Sequence, residues 1–273
     1  MKQLLLRSPI GRLSLALRDQ IALLGAARTN HEALGTLSND ILAGKLVTAI
    51  AEPNKTFIDV GAHIGSIIAE VLAASPTTKV IAFEAIPEKA DALRRSFPSV
   101  RVHCCAAGDV SGEASFFIDS KQSGYSGLSR ATGKGHEASV VEIRVPVVRL
   151  DDVVKDGDVD VIKIDVEGAE LGVLLGSVNL IGSCLPVIMF ESGPPSDDGL
   201  GYTREGMYSF LTEHGYSIFV PNRLAHNGPG LSCEGFLESH AYPRRCTNYF
   251  AVPDQRITEI RDRARHVLGV RLS

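Results

Sequence analysis

Apolar and polar residues follow one another along this chain in two rhythms, one typical of helices and the other of short buried strands. In the first half of the chain, strands are expected at 56–60, 79–84 and 100–105, with helices at 64–74 and 88–97 between them. Short apolar strands alternating with helices are typical of a parallel sheet that is covered on both faces. The pattern therefore predicts an α/β domain that begins near residue 53.

A β-rich insertion interrupts this alternation where the next helix would stand. Residues 113–119 and 140–148 are rich in β-branched and aromatic residues, and they flank a polar, glycine-containing loop at 120–139. Loops of this length inside a compact domain are often lids, and plain disorder is an equal alternative. We therefore expect a hairpin inserted at about 111–150, with a loop that either closes over substrate or stays disordered.

The second half of the chain returns to the alternating pattern. Strands are expected at 159–166, 186–191, 216–220 and 248–252, and helices at 170–180, at 204–214 and after residue 253. The pattern places the main domain at 53–253 and a separate C-terminal helix at 254–273.

Two helices precede this domain, at 10–24 and at about 39–51, where apolar residues recur every three or four positions. Residues 1–52 are therefore expected to form a helical extension. Such helices cap a ligand pocket, join a second subunit into a homo-oligomer, or cover a sheet edge. The pattern leaves these three roles open.

Composition narrows the expected partners. The 273 residues, 44% of them hydrophobic, suffice for one main domain with a sizeable core. A formal charge of −4 without a basic stripe argues against nucleic acid and favours a small molecule. The five cysteines include no C-x-x-C pair, which argues against a disulfide framework or a zinc knuckle. Arg7, Arg12 and Arg18 interrupt the apolar start, so we expect a cytoplasmic protein without a membrane span.

A glycine turn after the first strand carries the most specific chemistry. Asp59 lies near the end of the strand, and Gly61 and Gly65 frame a turn that opens a helix. Glycines let a nucleotide-like ligand approach the backbone, but a carboxylate beside the turn would repel a pyrophosphate and attract an ammonium group. S-adenosylmethionine (SAM) carries an ammonium group and no phosphate. The glycine spacing also differs from G-x-G-x-x-G, so the turn predicts a SAM pocket.

Glu84 ends the second strand, about twenty residues past the glycine turn. A carboxylate at this place in the motif is typical of one that hydrogen-bonds a ribose diol. Glu84 is therefore the candidate ligand of the SAM ribose.

Acidic residues also stand where later strands end. Lys163, Asp165 and Glu167 lie where one strand meets a helix, and Glu191 ends the next strand. Strand ends in open α/β sheets face the ligand crevice, so Asp165 and Glu191 are expected within reach of one ligand. They either deprotonate a substrate hydroxyl or bind a divalent cation such as Mg²⁺ that polarises it.

Glu167 and Lys163 are further catalytic candidates, and His63 and His226 are further acid/base candidates. Glu170 is expected to be only a favourable first-turn helix charge.

The chain carries five short motifs, at Phe57-Ile-Asp-Val-Gly-Ala-His-Ile-Gly65, Ala82-Phe-Glu84 with Pro87, Ala107-Gly-Asp109, Arg149-Leu-Asp-Asp152 and Lys163-Ile-Asp-Val-Glu-Gly-Ala-Glu170. Together with the hairpin insertion, this set resembles the FkbM family of SAM-dependent methyltransferases over roughly residues 55–252. The family often has Asn where His63 stands, so a pH response is expected at this position.

The resemblance implies a class I, Rossmann-like methyltransferase fold, with a mostly parallel seven-stranded sheet and helices on both faces. It further implies that Asp59, Gly61, His63 and Gly65 hold the methionine part of SAM, that Glu84 holds the ribose, and that the loop from Ala107 to Asp109 holds the adenine. Asp165 would border the methyl group.

Methyl transfer to a hydroxyl of a small metabolite, sugar or natural product is the function that this resemblance implies. Two alternatives stay open. A catalytically silent SAM-binding or assembly subunit would keep Asp59 and Glu84 and lose the acidic strand ends, and a nicotinamide-dependent oxidoreductase would need the other glycine spacing.

Overall fold

A computed structural model describes residues 9–119, 126–128, 140–193 and 200–270 of the chain. The helices are α1 (Pro9–Thr29), α2 (Ala33–Ile50), α3 (Ser66–Ala74), α4 (Pro87–Ser96), α5 (Leu150–Val153), α6 (Glu170–Leu175), α7 (Val178–Cys184), α8 (Arg204–Glu213), α9 (Cys233–Glu238) and α10 (Ile257–Leu268). The strands are β1 (Thr56–Val60), β2 (Lys79–Phe83), β3 (Arg101–His103), β4 (Ala106–Ala107), β5 (Gly112–Asp119), β6 (Val140–Val148), β7 (Val159–Ile164), β8 (Val187–Glu191), β9 (Tyr216–Phe219) and β10 (Asn248–Pro253).

Seven strands form the main sheet in the order β3-β2-β1-β7-β8-β10-β9. Strand β10 runs antiparallel to both of its neighbours, and the other adjacent pairs are parallel. The inserted hairpin β5–β6 joins β4 in a separate sheet of three strands. The predicted class I, Rossmann-like fold with a mostly parallel seven-stranded sheet is confirmed.

The core lies on both faces of the central strands. Every residue of β1 and β7 is buried, as expected for parallel strands with helices on both sides. Because side chains alternate along a strand, Ile58 and Ile162 join one apolar layer, while Phe57 and Val161 join the opposite layer. This burial fixes the register that brings the strand ends to one edge.

One predicted helix is divided in two. The expected helix at 170–180 ends at Leu175, and α7 begins at Val178. A β-carbon at Gly176 would lie 2.0 Å from the carbonyl oxygen of Gly108, so two chain segments touch at the break. The side chain of Asp151, from the motif at 149–152, accepts hydrogen bonds from the backbone at Asn179 and Leu180 and so fixes the start of α7.

The second N-terminal helix is longer than predicted and belongs to the fold. Leu46, Val47 and Ile50 of α2 are buried in the same apolar layer as Phe57. Helix α1 instead exposes Leu17, Ile21 and Leu24. The boundary at residue 52 and a homo-oligomer through the N-terminal helices stay predictions. Among the described helices, none has the length and apolar character needed to cross a lipid bilayer.

Candidate functional site

A cavity of about 340 Å³ lies at the carboxyl ends of β1, β2, β7 and β8. Its polar lining includes Asp59, His63, Glu84, Lys163, Asp165, Glu167 and Glu191. The ends of these four strands and the hairpin insertion thus enclose one space. Most of the residues singled out from the sequence meet there.

The glycine turn forms the floor of this cavity. Gly61 and Gly65 have φ angles of 79° and 81°, which residues with a β-carbon rarely adopt. A β-carbon at Gly61 would lie 1.8 Å from the carbonyl oxygen of Asp165, and one at Gly65 would lie 2.6 Å from the ring of Phe97. Gly61 lines the cavity, whereas Gly65 is outside the lining and allows α3 to pack against α4.

Glu84 holds the glycine turn in place. One carboxylate oxygen accepts a hydrogen bond from the backbone of His63 at 2.8 Å, and the other accepts one from the backbone of Ile86 at 3.0 Å. The side chain is buried, and burial raises its pKa although both hydrogen bonds favour the ionised form. Each oxygen keeps a further lone pair for a ligand in the cavity.

A buried ammonium group pairs with two of the carboxylates. Lys163 Nζ lies 3.1 Å from Asp59 Oδ1 and 3.3 Å from Asp165 Oδ2, and it donates a hydrogen bond of 3.0 Å to the carbonyl oxygen of Gly61. Asp59 is 1% exposed, and burial raises its pKa. Burial opposes the charge of Lys163, but the neighbouring carboxylates outweigh it and raise the pKa of this lysine. Lys163 is therefore held as a cation that ties β7 to the glycine turn.

The carboxylates of Asp165, Glu167 and Glu191 form an acidic cluster, with one oxygen of each within 4.8 Å of the others. Asp165 and Glu191 are hydrogen-bonded to each other. Burial and the charge of Asp165 raise the pKa of Glu191 well above its usual range. Burial also raises the pKa of Asp165, but the charge of Lys163 and the hydrogen bond with Glu191 outweigh burial, so the pKa of Asp165 is lowered. Of the two carboxyl groups, Glu191 therefore binds a proton more strongly, and Asp165 ionises more readily.

Glu167 stands on a turn with unusual backbone geometry. Its φ of 57° is left-handed, and Gly168 follows with a φ of 102°. The buried carboxylate of Glu170 accepts hydrogen bonds from the backbone of Val166 and Gly168, both at 3.1 Å. The expectation for Glu170 as a mere helix charge is wrong, because its carboxylate is turned inward to hold this loop.

Both glutamates of this loop have elevated pKa values. Burial, with the charges of Asp165 and Glu170, raises the pKa of Glu167 to about 8. Burial raises the pKa of Glu170 to about 7 against the effect of its backbone hydrogen bonds. Near neutral pH, Glu167 therefore retains its proton but can lose it within the working range of an enzyme.

Part of the insertion lies directly against the acidic cluster. Gly127 and Phe117 exchange backbone hydrogen bonds of 2.9 and 3.2 Å. A β-carbon at Gly127 would be 3.3 Å from the Glu167 side chain, and the adjacent Ser126 and Leu128 line the cavity. Residues 126–128 therefore cover the site, while the remainder of the expected lid loop at 120–139 lies outside the described residues.

Two candidates are placed away from the cavity. Ala107 lines it, but Asp109 is exposed and hydrogen-bonded to Tyr202 instead. Asp109 is outside the lining of the cavity, and its contact with the adenine stays a prediction. His226 lines a different cavity.

An apolar wall of the cavity, formed by Ile86, Cys105 and Phe116, is not predicted from the sequence. Phe116 comes from the hairpin, and it packs in one cluster with Ala85 and Ile86, which follow β2 and are distant from it in sequence. A second unpredicted feature is a buried pair in which the Ser192 hydroxyl donates to His240 Nε2 at 2.8 Å, while Nδ1–H donates to the Phe236 carbonyl. Burial lowers the pKa of His240 to about 4, so this neutral ring anchors the residue after Glu191.

Comparison with known proteins places the chain among methyltransferases. The model of the Methyltransferase FkbM domain matches residues 59–218, which is more than half of the chain. The AMB antimetabolite synthetase AmbE of Pseudomonas aeruginosa is 24% identical over 209 residues. The match covers 63% of this chain and 10% of that synthetase, so the chain spans about a tenth of its curated relative.

Solved structures are similar at low sequence identity. An FkbM methyltransferase from Methylobacillus flagellatus has a TM-score of 0.46 and 17% identity, covering 88% of this chain and 60% of that one. A TehB-like SAM-dependent methyltransferase from Corynebacterium glutamicum has a TM-score of 0.38 and 15% identity, covering 90% and 97%. On the family match over residues 59–218, this chain belongs to the FkbM methyltransferase family.

Proposed function

We propose that this protein transfers the methyl group of SAM to a hydroxyl of a small acceptor molecule. The observation that carries the proposal is the shared cavity, in which a glycine turn held by Glu84 faces the acidic cluster of Asp165, Glu167 and Glu191. A site with both features has a place for the cofactor and a place for a hydroxyl proton. Family membership leaves no reason to retain the nicotinamide-dependent oxidoreductase.

The lining fits the parts of SAM. Glu84 offers its remaining lone pairs to the ribose hydroxyls, and the turn at Gly61 and His63 faces the methionine part. Ala107 and the apolar wall of Ile86 and Phe116 suit the flat adenine ring. Asp59 acts through Lys163, because its carboxylate is already paired with that ammonium group.

The acidic cluster is suited to receive a proton from the acceptor. SAM supplies a methyl group on a sulfonium, which is a good leaving group, so an aligned nucleophile is the main requirement. Asp165 accepts a hydrogen bond from the acceptor hydroxyl. Glu167, with a pKa of about 8, takes the proton as the oxygen–methyl bond forms and the sulfur–methyl bond breaks. Glu191 keeps its own proton and fixes Asp165, and Lys163 positions both Asp59 and Asp165.

A divalent cation such as Mg²⁺ is the alternative to this proton-transfer scheme. Oxygens of Asp165, Glu167 and Glu191 lie close enough to one another to be shared by one hard cation. Lys163 and the proton on Glu191 already offset part of the negative charge there, which favours the scheme without metal. Loss of turnover in a chelator, with recovery in Mg²⁺ or Mn²⁺, would establish the cation instead.

Calorimetry with SAM and with NAD, followed by a screen for methylated products by mass spectrometry, tests the proposal. We expect binding of SAM and not of NAD, and a mass increase of one methylene in a hydroxylated acceptor. Binding of SAM without turnover on any acceptor class would favour the catalytically silent subunit. Absence of SAM binding would overturn the cofactor assignment.

A further inference from the structure

A second cavity, of about 600 Å³, lies between the start of α2, the segment after β9 and the segment before β10. Among the described residues, none lines both this cavity and the cavity that holds the acidic cluster. We call it the arginine cavity, after Arg223, Arg244 and Arg245 in its lining. The proposed methyl-transfer scheme uses none of these residues.

Positive charge exceeds negative charge in the lining of the arginine cavity, because three arginines and one carboxylate, that of Glu32, line it. Arg245 forms an ion pair with Glu238 at 2.5 Å, and the lining residue Glu32 accepts a hydrogen bond from Tyr242 at 2.6 Å. Within the described part of the chain, no carboxylate lies within ion-pair distance of Arg223 or Arg244. Two arginines without an ion-pair partner among the described residues therefore line one cavity of a chain whose formal charge is −4.

A buried asparagine fixes the segments that carry these arginines. Asn39 Oδ1 accepts a hydrogen bond of 3.1 Å from the backbone of Asn222, next to Arg223. Asn39 Nδ2 donates one of 2.8 Å to the carbonyl of Arg245, next to Arg244. Because one side chain ties both segments to α2, the backbone that carries Arg223 and Arg244 is held in place before a ligand arrives, which lowers the cost of binding.

The arginine cavity lies at the edge of the sheet where the acidic cluster is found. Residue Asn248 at the start of β10 pairs with Glu191 at the end of β8, and β9 ends beside the same part of β10. With strands spaced by about 4.8 Å, the ends of β8 and β9 are roughly 10 Å apart. Arg204, whose pKa is lowered by burial and also by the charge of Arg244, donates to the carbonyl of Gly193, two residues past Glu191.

We infer that the arginine cavity binds an oxyanion of the methyl acceptor, a phosphate or a carboxylate, while the acceptor hydroxyl reaches the acidic cluster. Guanidinium groups bind both oxyanions through paired hydrogen bonds. The acidic cluster repels the same anion, so the two oppositely charged regions orient the acceptor in one direction. This inference rests on the proposed function and names its substrate class as anionic, hydroxylated small molecules.

Binding of inorganic phosphate tests the cavity without reference to methyl transfer. Calorimetry would compare the wild-type protein with Arg223→Gln and Arg244→Gln, and with Arg95→Gln as a control, because Arg95 is an exposed arginine of α4 outside both cavities. We expect phosphate affinity to fall about tenfold or more in each cavity variant and to be unchanged in the control. Thermal melting and SAM binding would verify that each variant is folded. Equal phosphate affinity in all four proteins would overturn the inference.

Matched acceptors test the substrate class and distinguish the two oxyanions. Glucose, glucose 6-phosphate and glucuronate present similar hydroxyls with no charge, a phosphate and a carboxylate. We expect kcat/KM to be highest for one anionic sugar, and this preference to disappear in Arg244→Gln but not in Arg95→Gln. A preference for glucose over both anions would refute the inference and leave the proposed function intact, whereas failure of SAM binding would refute the proposed function and leave the phosphate result to decide the cavity.

Discussion

The carbonyl oxygen of Asp165 occupies the place where a β-carbon of residue 61 would stand, at a distance of 1.8 Å. The glycine turn and the segment that follows β7 are therefore in direct backbone contact. The chain can bring a cofactor turn and a catalytic strand end this close only with glycine at position 61.

Replacing Gly61 by alanine should destabilise the protein. The new methyl group would overlap the carbonyl oxygen of Asp165, and the φ of 79° adds strain, so we expect a loss of about 2 kcal/mol or more in the free energy of unfolding. Gly25→Ala is the matched control, since a β-carbon there meets nothing within 4 Å. In the helix α1 it should stabilise by roughly 0.5–1 kcal/mol. Urea denaturation giving the same shift for both variants would contradict the argument.

Removing the buried cation should cost more than removing an exposed one. Lys163→Met leaves Asp59 and Asp165 without their counter-charge, and breaking a buried pair in this way costs roughly 3–5 kcal/mol. Lys79→Met breaks an exposed pair with Asp158, which solvent screens, and should cost much less than Lys163→Met. Denaturant unfolding measures both. Adding Asp59→Asn to Lys163→Met should recover part of the stability, and no recovery would show that the loss has another cause.

Glu84→Ala should weaken SAM binding by about tenfold or more, since a charge-assisted hydrogen bond is worth roughly 1.5–3 kcal/mol. The variant also frees the backbone at His63 and Ile86, which loosens the turn. Glu88→Ala removes an exposed carboxylate in the first turn of α4 and serves as the control. Calorimetry would measure both affinities. Similar SAM affinities in the two folded variants would exclude Glu84 from the cofactor site.

The rate of methyl transfer should rise with pH through about 8. Glu167 has a pKa of about 8, so it is protonated below that pH and ionised above it, and only the ionised form accepts the proton of the acceptor. Glu167→Gln should lower turnover and abolish this rise, whereas Glu113→Gln, an exposed carboxylate of β5, should change neither. A pH–rate profile of kcat/KM for the three proteins tests this. A rise that persists in Glu167→Gln would assign the titration to another group.

Local sequence patterns suffice for a parallel sheet covered by helices and for the edge where the site forms. The alternation of strands and helices and the positions of Asp59, Glu84, Asp165 and Glu191 at or near strand ends all follow from short segments. The protonation of Glu191 does not, because it depends on a neighbouring strand that places Asp165 beside it. The hydrogen bonds of Glu170 to the backbone and of Asp109 to Tyr202 likewise form only in the folded chain, so short sequence segments do not predict them.

The loop that carries Glu167 and Glu170 binds protons in the folded protein near neutral pH. Glu167 and Glu170 hold protons up to pH values of about 8 and about 7, whereas the unfolded chain releases them near the ordinary glutamate pKa of 4.5. The folded state thus binds more protons between these limits, so stability should be greatest in mild acid and decline as pH rises towards 8. A sulfonium bound beside the loop favours the ionised carboxylates. Cofactor binding should therefore expel protons, and its calorimetric heat should vary with the ionisation enthalpy of the buffer.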